Sequence, residues 1–263
     1  MILGESGSGK SASLRNFEPG EIGIFNVAGK PLPFKKKLPS KNTDEYAKIM
    51  SGLLGGKCKS FAIDDSQYLM CFEMFSKSAE VGYQKFTDMA LHFYNLVQLV
   101  IKKLPDDVIV YFLHHVDVVD GRIKAKTIGK MLDEKLTLEG LFSIVLLCQT
   151  DGRNHQFITQ SDGTTTAKSP MEMFEPVIEN DLKAVDEALR VYYHLKPEHN
   201  CSECGKTILP TQGRSVEQIV DGTLKNYGRK LCWSCMVKEI NRRKEAERDA
   251  AESVSGGACQ QGA

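Results

Sequence analysis

Along the first 195 positions the apolar residues switch repeatedly between two periods. Short apolar runs predict buried strands at Met1–Leu3, Glu21–Val27 (EIGIFNV), Ser60–Asp64 (SFAID), Asp107–Leu113 (DVIVYFL) and Leu141–Cys148 (LFSIVLLC), with one more at His155–Thr159. Between them, Thr43–Leu54, Tyr68–Ala79, Phe86–Lys103 and Asn180–His194 carry apolar residues at helical spacing. Thr43 reads as the N-cap of the first helix, with Asp44 and Glu45 in its first turn. The Pro- and Lys-rich stretch Lys30–Pro39 reads as an exposed loop. Strands separated by helices predict an α/β fold with a mostly parallel sheet covered on both faces, over residues 1–196.

From Pro197 the pattern changes: aliphatic runs stop while cysteine, glycine and charge rise. Residues 197–241 read as a small module, and 242–263 as a fraying helix followed by disorder. A length of 263 residues suits one core plus a small accessory unit. The 34 basic and 34 acidic residues cancel, so no global charge argues for nucleic acid, although local basic patches remain open. No apolar run approaches the roughly 18 residues of a membrane span, and the N-terminus has no secretory pattern. The expectation is a soluble cytoplasmic protein with no membrane partner.

Gly4–Ser11 reads GESGSGKS and fits the phosphate-binding pattern G-x-x-x-x-G-K-[S/T] without mismatch. Gly4, Gly7 and Gly9 allow tight turns, so that the N–H groups of Glu5, Ser6, Ser8 and their neighbours can face phosphate oxygens. Lys10 is placed to reach the β- and γ-phosphates, and Ser11 to ligate Mg²⁺. A helix is expected to open at Ser11-Ala12, its N-terminal dipole favouring the same anion. A Gly/Ser-rich loop can match by chance, but here a short apolar strand precedes it and a helix-like segment follows.

Phe61-Ala62-Ile63-Asp64-Asp65 has the form of a Walker B strand. Asp64 is the candidate Mg²⁺ acid, paired with Ser11, and Asp65 the candidate base for the attacking water. Strands also end in Asp for reasons of turn geometry alone. The next strand ends in His114-His115, where one histidine could sense the γ-phosphate or simply be satisfied at a strand edge. After the Asp120-Gly121 turn, Arg122–Lys130 alternates basic and small residues. Lys124 and Lys126 suit either a phosphate in a neighbouring subunit or nucleic acid, or a solvated edge that resists aggregation.

GESGSGKSASLRNF, NVAGKPLPF, FAIDDSQYLM, the His-His strand end, KTIGKMLDEKLTLEGLF and DGTTTAKSPMEMF together resemble a phage-encoded family of AAA/RecA-like P-loop ATP-binding proteins, over about residues 1–193. The resemblance implies a RecA-like three-layer P-loop core that binds ATP and Mg²⁺. It implies an ATPase acting on single-stranded DNA in phage recombination, repair or replication, beside a single-strand-binding protein, as a homo-oligomer in the host cytoplasm. Gly4, Gly9, Lys10 and Ser11 carry over as P-loop residues, and Asp64 as the Walker B acid. RecA-type recombinases place a catalytic Glu at the end of the strand after the P-loop helix. Here that strand ends Asn26-Val27-Ala28, which leaves Asp65 as the base. No arginine finger is visible, and Lys126 is the candidate substitute.

The chain has eight cysteines. Cys58, Cys71 and Cys148 lie among apolar neighbours and read as small buried hydrophobes, while Cys259 sits in the polar tail. Cys201-x-x-Cys204 and Cys232-x-x-Cys235, 27 residues apart, read as four thiolates for tetrahedral Zn²⁺ in a treble-clef-like module. His199 is an alternative ligand. Such a small module needs its metal to fold. Lys225, Arg229, Lys230, Lys238, Arg242 and Arg243, with Trp233 and Tyr227, suit single-stranded DNA or form a solvated basic face balanced by nearby acids. The leading expectation is a Mg·ATP-dependent ATPase working on DNA. The alternative is a nucleotide-gated switch with little hydrolysis, whose zinc finger docks a protein partner.

Overall fold

The computed structural model describes residues 1–129, 131–132, 135–195 and 199–256, with side chains to Arg248 in the last helix. Lys130, Pro197 and Cys259 lie outside the described residues, as does the final segment 257–263, on which the expected disorder falls. The chain forms two compact units, Met1–Asp186 and the part from Glu187 onward.

The first unit is α/β. Its strands are β1 (Ile2–Gly4), β2 (Ile22–Asn26), β3 (Ser40–Asn42), β4 (Ser60–Asp64), β5 (Ile109–Val119), β6 (Arg122–Ala125), β7 (Leu146–Asp151), β8 (Asn154–Ile158) and β9 (Val177–Glu179). Among the described residues they make one nine-stranded sheet in the order β3-β2-β4-β5-β1-β7-β8-β9, with β6 paired to β5. From β3 to β7 every pairing is parallel. The pairings of β6, β8 and β9 are antiparallel, so the sheet is mixed. All five residues of β4 are buried, which requires cover on both faces of that strand.

Helices α1 (Tyr46–Gly55), α2 (Tyr68–Ser76) and α3 (Gln84–Lys103) pack on one another. Ile49 and Leu53 of α1, Leu69 and Met70 of α2, and Phe93, Leu96 and Val97 of α3 join Leu3, Phe61, Ile63 and Phe112 of the sheet in one core. A further helix, α4 (Leu182–Tyr192), carries the boundary between the units along its length. Among the described residues no helix is long and apolar enough to cross a membrane.

Several expectations are corrected. The segment after Lys10 is a six-residue 3-10 helix, Ser11–Asn16, that stops where Phe17 turns extended and buried. Ser13 bonds its hydroxyl back to the Lys10 carbonyl at 2.6 Å, a local bond that competes with α-helix propagation. So short a helix brings little of the expected dipole. Thr43 does not cap α1: the cap is Glu45, and the Thr43 hydroxyl instead accepts from the Glu45 N–H at 3.2 Å. β5 does not end at the histidines but runs on to Val119, where Asp120 and Gly121, both at positive φ, turn it into β6. The strand expected from Leu141 starts only at Leu146. Ahead of it, Glu139 is buried and takes the Ala125 N–H at 2.7 Å and the Thr166 hydroxyl at 3.1 Å, which pins the segment as a turn. Cys58 and Cys71 are half-buried, whereas Cys148 is buried as expected.

In the second unit, α5 (Val216–Tyr227) and α6 (Trp233–Gly256) surround a small core of Ile208, Val216, Ile219, Val220 and Leu231 with Cys201 and Cys235. α5 has no counterpart in the expected elements. It begins with a capping box between Ser215 and Gln218 and ends at Gly228 in the left-handed region.

Candidate nucleotide and metal sites

The parallel register brings the carboxyl ends of β1, β4 and β2 level with His115 of β5. Gly4 of β1 faces His115 of β5, and Asp64 ends β4 opposite Asn26 of β2. Ligands bind at this edge in open α/β sheets. The loop 4–11 therefore emerges beside Asp64, Asp65 and His115.

Within the loop, the Lys10 ammonium donates to the Gly4 and Glu5 carbonyls at 2.8 Å each. Burial lowers the Lys10 pKa, and the charges of Asp65, Cys148 and Asp64 oppose that shift. Gly4 and Gly9 are required by close approach: a side-chain carbon at Gly4 would lie 2.7 Å from the Cys148 carbonyl oxygen. Gly7 and Gly9 adopt φ of 81° and 103°. The Ser8 hydroxyl is buried without a hydrogen-bond partner among the described residues. Glu5, Ser6 and Gly7 are exposed, and Ala12 is half-buried just behind them.

The Ser11 hydroxyl donates to Asp64 Oδ1 at 2.8 Å. The expected pairing of these two residues, 53 positions apart, is therefore present as a contact. Asp64 is buried, and its pKa is raised chiefly by burial, with the Ser11 bond working against it and the Asp65 charge with it.

Asp65 has a different environment. It sits at φ 59°, a strained conformation that aspartate tolerates better than most residues. Burial alone would raise its pKa. The His115 Nε2 hydrogen bond at 3.1 Å and the Lys30 ammonium at 2.6 Å overcome this and bring it down to about 2. His115 is further held by the edge of the Tyr68 ring, 5.3 Å between centroids. A carboxylate with so low a pKa takes up a proton poorly. The arrangement suits Asp65 to hold His115 and Lys30 in place.

Of the two histidines, His115 faces the site while His114 is fully buried. His114 Nε2 donates to the Lys126 carbonyl at 2.8 Å, and Nδ1 meets the Ser66 hydroxyl at 2.9 Å. Lys126 is exposed, and its backbone N–H donates to the His115 carbonyl at 2.9 Å. The candidate finger thus begins one residue beyond the end of β6, tied by its backbone to both histidines.

Two site residues escape the motif reading. His155 of β8 donates from Nδ1 to the Ser8 carbonyl at 2.8 Å, supporting the loop from the β7–β8 hairpin. No local pattern marks it. Lys30 is marked only by its place: a cation just past the end of an apolar strand, at the ligand edge of the sheet.

In the second unit the sulfurs of Cys201, Cys204, Cys232 and Cys235 all lie within 4.8 Å of one another. Cys204 and Cys232 are 3.7 Å apart, close to the edge of about 3.8 Å that a tetrahedron with Zn–S bonds of about 2.3 Å requires. The Cys₄ group could hold a metal ion such as zinc. Gly205, at φ 72°, lets its N–H return to the Cys201 carbonyl at 2.9 Å, which makes the tight knuckle. His199 is not part of the sulfur cluster. Around it, Glu239 engages Arg229, Arg242 and Arg243 together, and Glu203 engages Arg229 at 2.5 Å. The Tyr227 ring is covered by Arg243 at 4.6 Å and the Trp233 ring faces Arg214 at 5.7 Å. Three of the six basic residues singled out in the sequence are therefore already charge-paired.

No protein-family model matches the chain, and no curated protein matches it either.

Proposed function

We propose that the chain is a Mg·ATP-binding P-loop ATPase of RecA-like type that acts on DNA in phage recombination, repair or replication and carries a structural zinc site. The observation that carries the reading is the Ser11–Asp64 hydrogen bond beside the buried Lys10 ammonium. A hydroxyl and a carboxylate 2.8 Å apart at the end of a parallel sheet are the protein ligands a nucleotide-bound Mg²⁺ uses, and Lys10 lies in the adjoining loop. The glycine conformations support a loop shaped for an anion. The strand order supports the RecA-like reading, because β5 lies between β1 and β4 and brings His115 level with the loop. A cleft of about 400 Å³ runs along Glu5–Ser8, walled by Val116, Ile123 and Leu147, on the side of the loop away from Lys10, Ser11 and Asp64, which do not line it.

When bound, Mg²⁺ would neutralise charge on the phosphates. Ser11 and Asp64 would hold it, Lys10 would bind the phosphate oxygens, and Asp65 would orient His115 toward the loop. The test is ATP turnover by the zinc-loaded full-length protein, with and without single-stranded DNA, beside Lys10→Ala. DNA-stimulated turnover that the variant lacks is the expected result. Turnover that survives in Lys10→Ala would remove the P-loop assignment.

A second reading is favoured by two observations: a nucleotide-gated switch with little hydrolysis whose zinc module docks a protein. Asp65, near 2, is a weak base, and Glu239 neutralises arginines that DNA phosphates would otherwise use. Nucleotide binding without DNA-stimulated turnover, and without salt-dependent affinity for single-stranded DNA, would select it.

A further inference from the structure

The site holds a cation that the P-loop pattern does not include. Lys30 follows β2 through a turn in which Gly29 adopts φ 66°. Asn26, the last residue of β2, donates its side-chain amide to the Lys30 carbonyl at 2.6 Å and so fixes the turn. The Lys30 ammonium lies 2.6 Å from Asp65 Oδ2 and 5.4 Å from the centroid of the Tyr68 ring. The side chain is nonetheless 61% exposed.

The pair stabilises the buried Asp65 carboxylate, but solvent screens its lysine end and the long side chain loses freedom in making it. Asp65 moreover has a second partner, since His115 occupies its other oxygen at 3.1 Å. The ammonium can therefore leave Oδ2 without stranding the carboxylate. Asp65 is bonded through the chain to Asp64, and Asp64 holds the Ser11 hydroxyl. On the P-loop reading this is the end of the site where the outer phosphates lie. A terminal phosphate arriving there meets two adjacent carboxylates, and an exposed cation beside them offsets the repulsion.

We propose that Lys30 is a second phosphate-binding cation, supplied within the same chain and selective for the terminal phosphate of a nucleoside triphosphate. The proposal rests on the P-loop reading. It assigns the discrimination between triphosphate and diphosphate to the loop after β2, with no need of a finger from a neighbouring subunit. On binding, the Lys30 ammonium shifts from Asp65 toward the phosphate, while His115 keeps Asp65 in place.

The experiment measures equilibrium binding of a non-hydrolysable ATP analogue and of ADP, each with Mg²⁺, to the zinc-loaded full-length protein. In Lys30→Ala the triphosphate analogue should weaken about tenfold or more while ADP stays within about twofold. Lys30→Arg should restore most of the loss. Lys30→Met, which keeps the stem over Tyr68, should show the same split as Lys30→Ala. Equal weakening of both nucleotides, no weakening, or a split in Lys30→Ala that is absent in Lys30→Met would overturn the proposal alone. A wild-type protein that binds neither nucleotide, or Lys10→Ala binding both as tightly as wild type, would overturn the P-loop reading and this assignment with it.

Discussion

Gly9 and His155 are locked together: a side-chain carbon at Gly9 would lie 2.8 Å from Cγ of the His155 ring, whose Nδ1 donates to the Ser8 carbonyl at 2.8 Å. The glycine therefore serves two needs. Its φ of 103° disfavours any L side chain, and its bare face lets the histidine reach the loop. Gly9→Ala should cost about 2 kcal/mol or more in urea unfolding and remove nucleotide binding. Most of the steric part should go when His155 is also truncated, leaving its Cβ at 3.1 Å. Gly9→Ala and His155→Ala combined should then cost less than the sum of the two. Strict additivity would show that the contact carries no energy.

His114 makes stability fall in mild acid. Its ring is buried among Ser66, the Lys126 carbonyl and the edge of Phe93, with His115, Lys10 and the N-terminal ammonium as the charges that act on it. Burial, only partly offset by the Lys126 bond, lowers its pKa to about 4. The unfolded chain takes up the proton first, near 6.5, so the folded state loses ground as pH falls from about 6.5 through about 4. The loss attributable to this residue reaches about 3 kcal/mol at the acid end. Denaturant unfolding across that range checks it. A His114→Gln variant, which cannot take up the proton, should show a flatter profile, and parallel profiles would contradict the assignment.

On the zinc reading, the second unit should depend on its metal. Its apolar core is a handful of residues around two of the cysteines themselves, too little to hold α5 and α6 alone. A strong chelator, or Cys204→Ser, should reduce helical circular dichroism and abolish a separate melting transition from this unit. The first unit should keep its own transition, because none of the four thiols belongs to it. A zinc-free protein with an unchanged spectrum would mean that the sulfur cluster is a consequence of the fold and not its cause.

The legible parts of this chain are those whose chemistry is local. The glycine turns of Gly4–Ser11, the Ser11–Asp64 contact and the gathering of the two C-x-x-C pairs follow patterns of fixed spacing in the sequence. The buried strands β2, β4 and the first half of β5 are legible because both their faces are apolar. β3 and β9 are three-residue edge strands with no period to detect. The continuation of β5 past His115 depends on a pairing with β6, which the apolar run cannot foretell. His155 reaches Ser8 across 147 positions, and Glu239 adds Arg229, from ahead of its helix, to its i+3 and i+4 neighbours Arg242 and Arg243; neither His155–Ser8 nor Arg229–Glu239 leaves a sequence pattern. The opposed environments of Asp64 and Asp65 are likewise invisible in the string Asp-Asp. They arise because only the second residue meets Lys30 and His115.

That opposition yields a separation of stability from binding. Asp64 is buried beside a second carboxylate, and its pKa is raised mainly by burial. A raised carboxylate pKa means that the charge opposes folding: the penalty is absent in acid and grows as pH rises through the ordinary carboxylate range. Asn at this position keeps an oxygen to accept the Ser11 hydroxyl and removes the charge. Asp64→Asn should therefore unfold at the same or higher denaturant concentration than wild type at neutral pH, by about 0.5–2 kcal/mol, with the difference closing in acid. The same variant should lose Mg²⁺-dependent nucleotide binding, because an amide is a poor ligand for a hard cation compared with a carboxylate. A variant that is less stable at neutral pH and still binds nucleotide with Mg²⁺ would assign Asp64 to structure. Greater stability with lost binding would mark it as a charge retained for its ligand.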